Sequence, residues 1–196
     1  KIVILGSTGS IGKSLLKIIK NDKKNFEIKL LTAKKNYKLL IKQAIKFKVK
    51  NIIITDKKYF NIAKNYSKKN KINIFNNFNN LKIILNSRVD YTMSSIVGLD
   101  GLIPTIKIIK YSKNIAIANK ESIICGWNLI QKQLVKYKSD FIPVDSEHFS
   151  TWYALKNNSI LNISKIYLTA SGGPLLKIKK KNFNKLKMKQ ILKHPN

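Results

Sequence analysis

The sequence predicts an α/β protein: a doubly wound, mostly parallel sheet followed by the start of a second, α+β domain. Two observations carry this. Short apolar, β-branched runs alternate with segments whose apolar residues recur at helical spacing, from Lys1 to about Val144. The first run, Lys1-Ile2-Val3-Ile4-Leu5, is interrupted by Gly6, Gly9 and Gly12, and a helical pattern begins at Lys13. Strand, glycine turn and helix in that order open a βαβ unit.

Each later element is justified the same way. Phe26–Thr32 reads as the second strand and Tyr37–Phe47 as the second helix. Asn51–Thr55 is strand-like, Tyr59–Lys68 helical, Ile72–Phe75 short and β-like, and Asn79–Leu85 helical. The Asn-rich patch from Asn73 to Asn80 is compositional and reads mainly as loop. Tyr91–Val97 is predicted as a strand and Leu102–Lys110 as a helix, with Pro104 tolerable in its first turn. Ile115–Ala118, Gly126–Tyr137 and Phe141–Val144 complete the alternation as strand, helix and strand. Beyond it lie a helix at Thr151–Leu155, a strand at Ile163–Thr169 and a charge-rich loop or helix start at Lys177–Lys187. The division predicted is therefore residues 1–144 for the sheet domain and 145–196 for the truncated beginning of a second domain.

Composition narrows the class. Hydrophobic residues make up 44% of the 196, enough for a packed core. No apolar run is long enough to cross a bilayer, and no membrane partner is expected. The formal net charge is +30, from 39 Lys and Arg against 9 Asp and Glu. Such a value ordinarily points to nucleic acid. Here Arg88 is the only arginine, and the lysines are spread along the whole chain beside abundant Asn and Ile, the residues of A/T-rich codons. Bidentate base and phosphate reading favours Arg, so no nucleic-acid partner is expected. The charge favours anionic small molecules through long-range steering. Cys125 is the lone cysteine and reads as a small buried or half-buried residue rather than a catalytic thiol. The expected location is the cytoplasm of a bacterium with a reduced genome, such as an endosymbiont, or a plastid organelle if the source is eukaryotic. A start at Lys1 directly on a strand, without an initiator Met, and a stop just after His194-Pro195 read as a fragment.

Five segments carry the chemistry. Gly6-Ser7-Thr8-Gly9-Ser10-Ile11-Gly12 lies between the first strand and first helix, where glycines let the backbone turn tightly and approach a pyrophosphate at a helix N-terminus. That placement makes the domain Rossmann-like. At the end of the second strand, Leu31-Thr32-Ala33-Lys34-Lys35-Asn36 carries no acid to hold a ribose 2′-hydroxyl, which favours NADPH over NADH. Ala118-Asn119-Lys120-Glu121-Ser122 and Pro143-Val144-Asp145-Ser146-Glu147-His148 each follow a predicted strand. Read as extended chain, the second directs two carboxylates to one side, where they can share a hard cation. Leu168-Thr169-Ala170-Ser171-Gly172-Gly173-Pro174 places a hydroxyl beside two glycines, a plausible phosphate cradle.

GSTGSIG, ANKES, PVDSEH, LTASGGP and a final HPN occur in the order and approximate spacing of 1-deoxy-D-xylulose 5-phosphate reductoisomerases, and the whole chain resembles that family. Ile96-Val97-Gly98 followed by Gly101-Leu102-Ile103-Pro104-Thr105 matches it as well. The resemblance implies that Thr8, Gly9, Ser10 and Ile11 form the NADPH pyrophosphate turn and that Lys35 and Asn36 meet the 2′-phosphate. The family reads Ala-Gly-Lys-Asn there, and this chain has Lys34 in place of the glycine. It implies further that Asn119 and Glu121 touch NADPH, and that Lys120 and Glu147 are catalytic. Lys120, Ser146, Glu147, Ser171 and His194 then bind the sugar-phosphate substrate. Asp145 and Glu147 hold a divalent cation, Mg2+, Mn2+ or Co2+. His148 reads as structural. The full-length protein would be a homodimer.

The implied reaction is metal-assisted rearrangement of 1-deoxy-D-xylulose 5-phosphate, then hydride transfer from NADPH to give 2-C-methyl-D-erythritol 4-phosphate in the non-mevalonate isoprenoid pathway. A third metal carboxylate and further substrate contacts would lie beyond Asn196, so this chain alone is expected to be inactive. Two other classes stay open on the residues: another NADP-dependent dehydrogenase sharing the cofactor domain, for which Cys125 would have to be a nucleophile, and a non-enzymatic basic binding protein.

Overall fold

The computed structural model describes residues 1–156, 158–159, 162–167, 175 and 178–191, with the backbone alone at 67–70, 146, 147 and 189. The chain forms two compact units, Lys1–Phe149 and Ser150–Asn196.

The first unit holds a sheet of seven strands: β1 Ile2–Leu5, β2 Ile28–Ala33, β3 Asn51–Ile54, β4 Asn73–Phe75, β5 Val89–Ser94, β6 Ser112–Ile117 and β7 Asp140–Pro143. Their order is β4-β3-β2-β1-β5-β6-β7, and every pairing is parallel. The order reverses at β1, so the chain winds outward in one direction to β4 and then in the other from β5. A cleft opens at such a switch point, outside the carboxyl ends of the strands.

The helices are α1 Ser10–Asn21, α2 Tyr37–Lys46, α3 Lys57–Asn70, α4 Leu81–Ile84, α5 Leu102–Ile109 and α6 Lys120–Tyr137, then α7 Ser146–Lys156 across the unit boundary. Strand alternation sends Ile2 and Ile4 of β1 into one core with Leu16, Ile19, Leu40 and Ala44 of α1 and α2. Val3 and Leu5 enter the other core with Ile108, Ile109, Ile130 and Leu134 of α5 and α6. Burial on both faces is why the strands read as continuous apolar runs.

Several boundaries differ from expectation. The β5 strand stops at Ser94, and Ser95–Gly98 turns away, with Gly98 at φ +70°. Ile96 and Val97 are β-branched and read as strand, yet they lie past the sheet edge, where no neighbour pairs with them. Helix α6 begins at Lys120 rather than Gly126 because Asn119 caps it. Gly126 sits inside the helix where α5 packs close, and a Cβ there would stand 3.1 Å from Leu102 Cδ2. The earlier start places Cys125 on the outer face of α6; it is exposed, not buried or half-buried as predicted.

In the second unit α7 ends at Lys156, a 3-10 helix runs over Lys180–Lys185, and α8 spans Met188–Ile191. The predicted strand at Ile163–Thr169 is not formed over its described residues, 163–167, which have no regular structure. Ile166 and Tyr167 are exposed. A β-prone run becomes a strand only beside a partner.

Candidate functional site

Register aligns the carboxyl ends of neighbouring strands. Leu5 pairs with Ser94, Ser94 with Ile117, and Ile117 with Pro143. The segments that follow, Gly6–Gly12, Ser95–Gly98, Asn119–Glu121 and Val144–Asp145, therefore emerge along one edge. Three strand spacings separate the first from the last, about 14 Å.

The glycine turn is built for an anion. Gly9 N–H donates to Gly6 O at 3.0 Å, closing the turn, and the first helical bond runs from Lys13 N–H to Gly9 O at 2.9 Å. The opening N–H groups of α1 lack intrahelical acceptors, and no side chain caps them among the described residues. Gly6 has φ +78°, and a Cβ on it would lie 2.7 Å from Ser95 O. A Cβ on Gly12 would lie 2.5 Å from Ser7 Cα, so the cradle admits no side chain there. A pyrophosphate fits this geometry.

Buried bonds hold the turn. Gly6 N–H donates to Thr32 Oγ1 at 2.9 Å and Ser7 N–H to Thr32 O at 2.9 Å, tying it to β2. Ser7 Oγ donates to Gln43 Oε1 at 2.8 Å, and Gln43 Nε2 returns a bond to Ser7 O at 3.0 Å. Ser95 Oγ donates to Leu5 O at 2.7 Å on the other side. The motif reading missed Thr32, Gln43 and Ser95. Gln43 carried a signal: it is a polar residue on the face of α2 that buries Leu40, Ile41 and Ala44.

Around the turn is a cleft of ≈ 510 Å3, lined by Gly6, Thr8, Gly9, Thr32, Lys34 and Asp100 among others. Across its mouth Lys34 Nζ and Asp100 Oδ2 stand 2.5 Å apart. The hydrogen bond that Lys34 donates to Asp100, then the Coulomb attraction between them, raises the pKa of the Lys34 ammonium above its ordinary value. Lys34 is absent from the left-handed residues, so the backbone accepts a side chain where the family reads glycine. Lys35 and Asn36 follow it; Lys35 is exposed, and Asn36 Oδ1 accepts from Leu39 N–H at 3.2 Å as the cap of α2. A hollow of ≈ 530 Å3 lies at the opposite edge of the sheet, beside Ile19, Lys46 and Phe47 at the carboxyl ends of α1 and α2. Helix C-termini repel anions, so the smaller cleft is the better cofactor site.

Asn119 is 3% exposed. Its Oδ1 accepts from Ser122 N–H at 3.0 Å, capping α6, and its Nδ2 donates to Gly98 O at 2.6 Å and to Ile96 O. This amide joins the start of α6 to the loop after β5, which places its side chain in a holding role. Lys120 and Glu121, the first residues of α6, are exposed beside it.

Asp145 is the cap of α7: its Oδ1 accepts from His148 N–H at 2.8 Å and meets His148 Nδ1 at 2.8 Å. The extended chain assumed for Asp145 and Glu147 is therefore corrected. Helix begins at Ser146, and the acids occupy the cap and second helical positions. Hard carboxylate oxygen suits a divalent cation. Among the described residues no group of three or more His, Cys, Asp or Glu converges. The side chains of Ser146 and Glu147, and all of Ser171 and His194, lie outside the described residues.

Comparison with known proteins shows the family. A family model described as 1-deoxy-D-xylulose 5-phosphate reductoisomerase matches residues 2–126, and one for that enzyme's C-terminal domain matches residues 141–196. The reductoisomerase of Pelagibacter ubique is 59% identical over 100% of this chain and 51% of its own length. That of a Thermoanaerobacter species is 38% identical over 100% and 51%. The solved reductoisomerase of Zymomonas mobilis in complex with NADPH superposes with a TM-score of 0.81 at 30% identity, over 91% of this chain and 47% of that one. A solved reductoisomerase complex with NADPH, fosmidomycin and magnesium gives 0.75 at 29% identity, over 100% and 51%. The chain spans about half the length of the curated relatives it matches. It belongs to the 1-deoxy-D-xylulose 5-phosphate reductoisomerase family.

Proposed function

We propose that the chain is the cofactor-binding half of an NADPH- and divalent-metal-dependent enzyme that converts 1-deoxy-D-xylulose 5-phosphate to 2-C-methyl-D-erythritol 4-phosphate. One observation carries this reading: the register that brings the glycine turn, the Ser95–Gly98 loop, Asn119–Glu121 and Asp145 to one sheet edge. The spacing suits an extended dinucleotide with its pyrophosphate on Gly9–Gly12 and its reactive end toward Lys120 and Asp145.

The residues have separable tasks. Thr8, Gly9, Ser10 and Ile11 receive the pyrophosphate, and Lys35 the 2′-phosphate. Lys120 places a positive charge where negative charge develops on a sugar-phosphate substrate. Asp145 and Glu147 supply two oxygen-bearing side chains to the cation, fewer than hard-cation sites use, so further oxygens from protein, substrate or water complete the set. A cation held by Asp145 and Glu147 would supply Lewis acidity toward carbonyl and hydroxyl oxygens, and NADPH held at the glycine turn would supply hydride. Ser146, Ser171 and His194 are assigned to the substrate on their motifs. Residues 1–196 alone bind NADPH and do not turn over.

Two measurements test the proposal. Fluorescence titration of the chain with NADPH should saturate, and Gly12→Ala should abolish saturation while the fold persists by circular dichroism. The complete polypeptide should convert 1-deoxy-D-xylulose 5-phosphate with NADPH and Mg2+. Turnover by residues 1–196 alone, or no NADPH binding, would refute it.

A further inference from the structure

The assigned cofactor contacts leave Asp100 without a task. It lies in the 3-10 turn Leu99–Gly101 after β5, whereas Lys34 is the first residue past β2. Because β2 and β5 flank β1 on opposite sides, the Lys34–Asp100 pair spans the carboxyl end of β1 above the glycine turn. Both residues line the cleft that contains Gly6, Thr8 and Gly9. A dinucleotide with its pyrophosphate at that turn must pass this bridge. The pair is exposed, 61% and 62% at its side chains, so exchanging its partner costs little. In a chain with 39 basic and 9 acidic residues, an acid on the wall of an anion-binding cleft opposes the prevailing field.

We propose that Asp100 is a placeholder for the cofactor's 2′-phosphate, holding Lys34 over the cleft in the free protein and releasing it to that phosphate on binding. This rests on the NADPH reading above. It makes Lys34 a specificity-determining residue. NADPH offers the ammonium a dianionic partner in place of a carboxylate, while NADH offers none and leaves the pair intact. The exchange also explains why a lysine is useful where the backbone has no need of glycine: its reach lets one charge serve two walls of the cleft. Lys35, one residue on, is exposed and forms no ion pair among the described residues, so it is available to the phosphate throughout.

The test is equilibrium binding of NADPH and NADH to the complete polypeptide, followed by cofactor fluorescence, for wild type, Lys34→Ala, Lys34→Arg, Asp100→Asn and the Lys34→Ala/Asp100→Asn pair. Lys34→Ala should weaken NADPH about tenfold, as expected for loss of a hydrogen bond to a charged group, and leave NADH within about twofold. Lys34→Arg should keep the NADPH:NADH ratio. Asp100→Asn should tighten NADPH by up to about fivefold, the scale of an exposed ion pair, and do nothing once Lys34 is alanine. An unchanged ratio in Lys34→Ala, or the same Asp100→Asn effect in both backgrounds, overturns the placeholder while leaving NADPH binding intact. A wild type that binds no NADPH overturns both.

Discussion

Ser7 and Gln43 exchange hydrogen bonds in a fully protein-enclosed setting: Ser7 Oγ donates to Gln43 Oε1 at 2.8 Å, and Gln43 Nε2 donates to Ser7 O at 3.0 Å. They are 0% and 7% exposed. A residue 36 positions away on α2 thus fixes the backbone of the glycine turn. Gln43→Met keeps the volume and removes both partners from Ser7. It should destabilise the chain by about 1–3 kcal/mol, the cost of stranding buried polar groups. Urea unfolding measures this. Because the turn loosens, NADPH affinity should fall by more than stability alone explains; an affinity equal to wild type would mean the turn holds its shape without Gln43.

Asn119 separates two tasks in one side chain. Asn119→Asp keeps the oxygen that caps α6 but turns the Ile96 and Gly98 contacts from donor–acceptor into acceptor–acceptor. Helix content should persist, and NADPH affinity should drop about tenfold or more as the Ser95–Gly98 wall is released. Asn119→Ala should lose the cap as well, adding about 1 kcal/mol of destabilisation. Equal effects of the two variants on unfolding would remove the distinction.

Arg88 is a structural clamp far from the cleft. Its Nη2 donates to Ser112 O, to Ser139 Oγ at 2.9 Å and weakly to Lys138 O at 3.4 Å, joining β6 to the turn before β7 at the amino-terminal edge of the sheet. Arg88→Met should cost about 1–3 kcal/mol in urea unfolding. NADPH affinity should stay within twofold of wild type under native conditions, which marks it as a stability residue.

Lys48 follows the α2 cap with φ +55°, and Val49 N–H returns to Ala44 O at 2.8 Å. This is a helix terminus at which glycine is favoured, because L-residues pay for left-handed backbone. Lys48→Gly should raise stability by about 0.5–1 kcal/mol, seen as a higher thermal midpoint. A lower midpoint would mean the lysine side chain contributes more than its backbone costs.

Cofactor binding itself stabilises by mass action. At NADPH concentrations a hundred times its dissociation constant, the folded chain should gain about 2.7 kcal/mol. Differential scanning fluorimetry with NADPH and NADH reads this directly. Equal shifts from both would argue against any contribution of the Lys34–Asn36 segment to selectivity.

The sequence by itself determined the class of fold and the family. Continuous apolar runs and period-3.6 apolar patterns are local, so β1 to β7 and α1 to α5 were legible to within a few residues, while the start of α6 was missed by six. The glycine turn was legible because only that residue fits where Gly6 and Gly12 meet neighbouring backbone. Ends of elements were less so: whether Ile96 and Val97 join a strand, or Lys120 opens a helix, depends on where a neighbouring strand stops and on which side chain caps. Tertiary structure alone decided the strand order, hence which loops share an edge. It also decided the pairing of Ser7 with Gln43, of Asn119 with the carbonyls of Ile96 and Gly98, and of Lys34 with Asp100 across 66 positions. These are contacts between polar residues with no periodicity to announce them: the first two form because each buried donor or acceptor needs a partner, the exposed third because opposite charges meet, and only the folded chain brings the partners within reach.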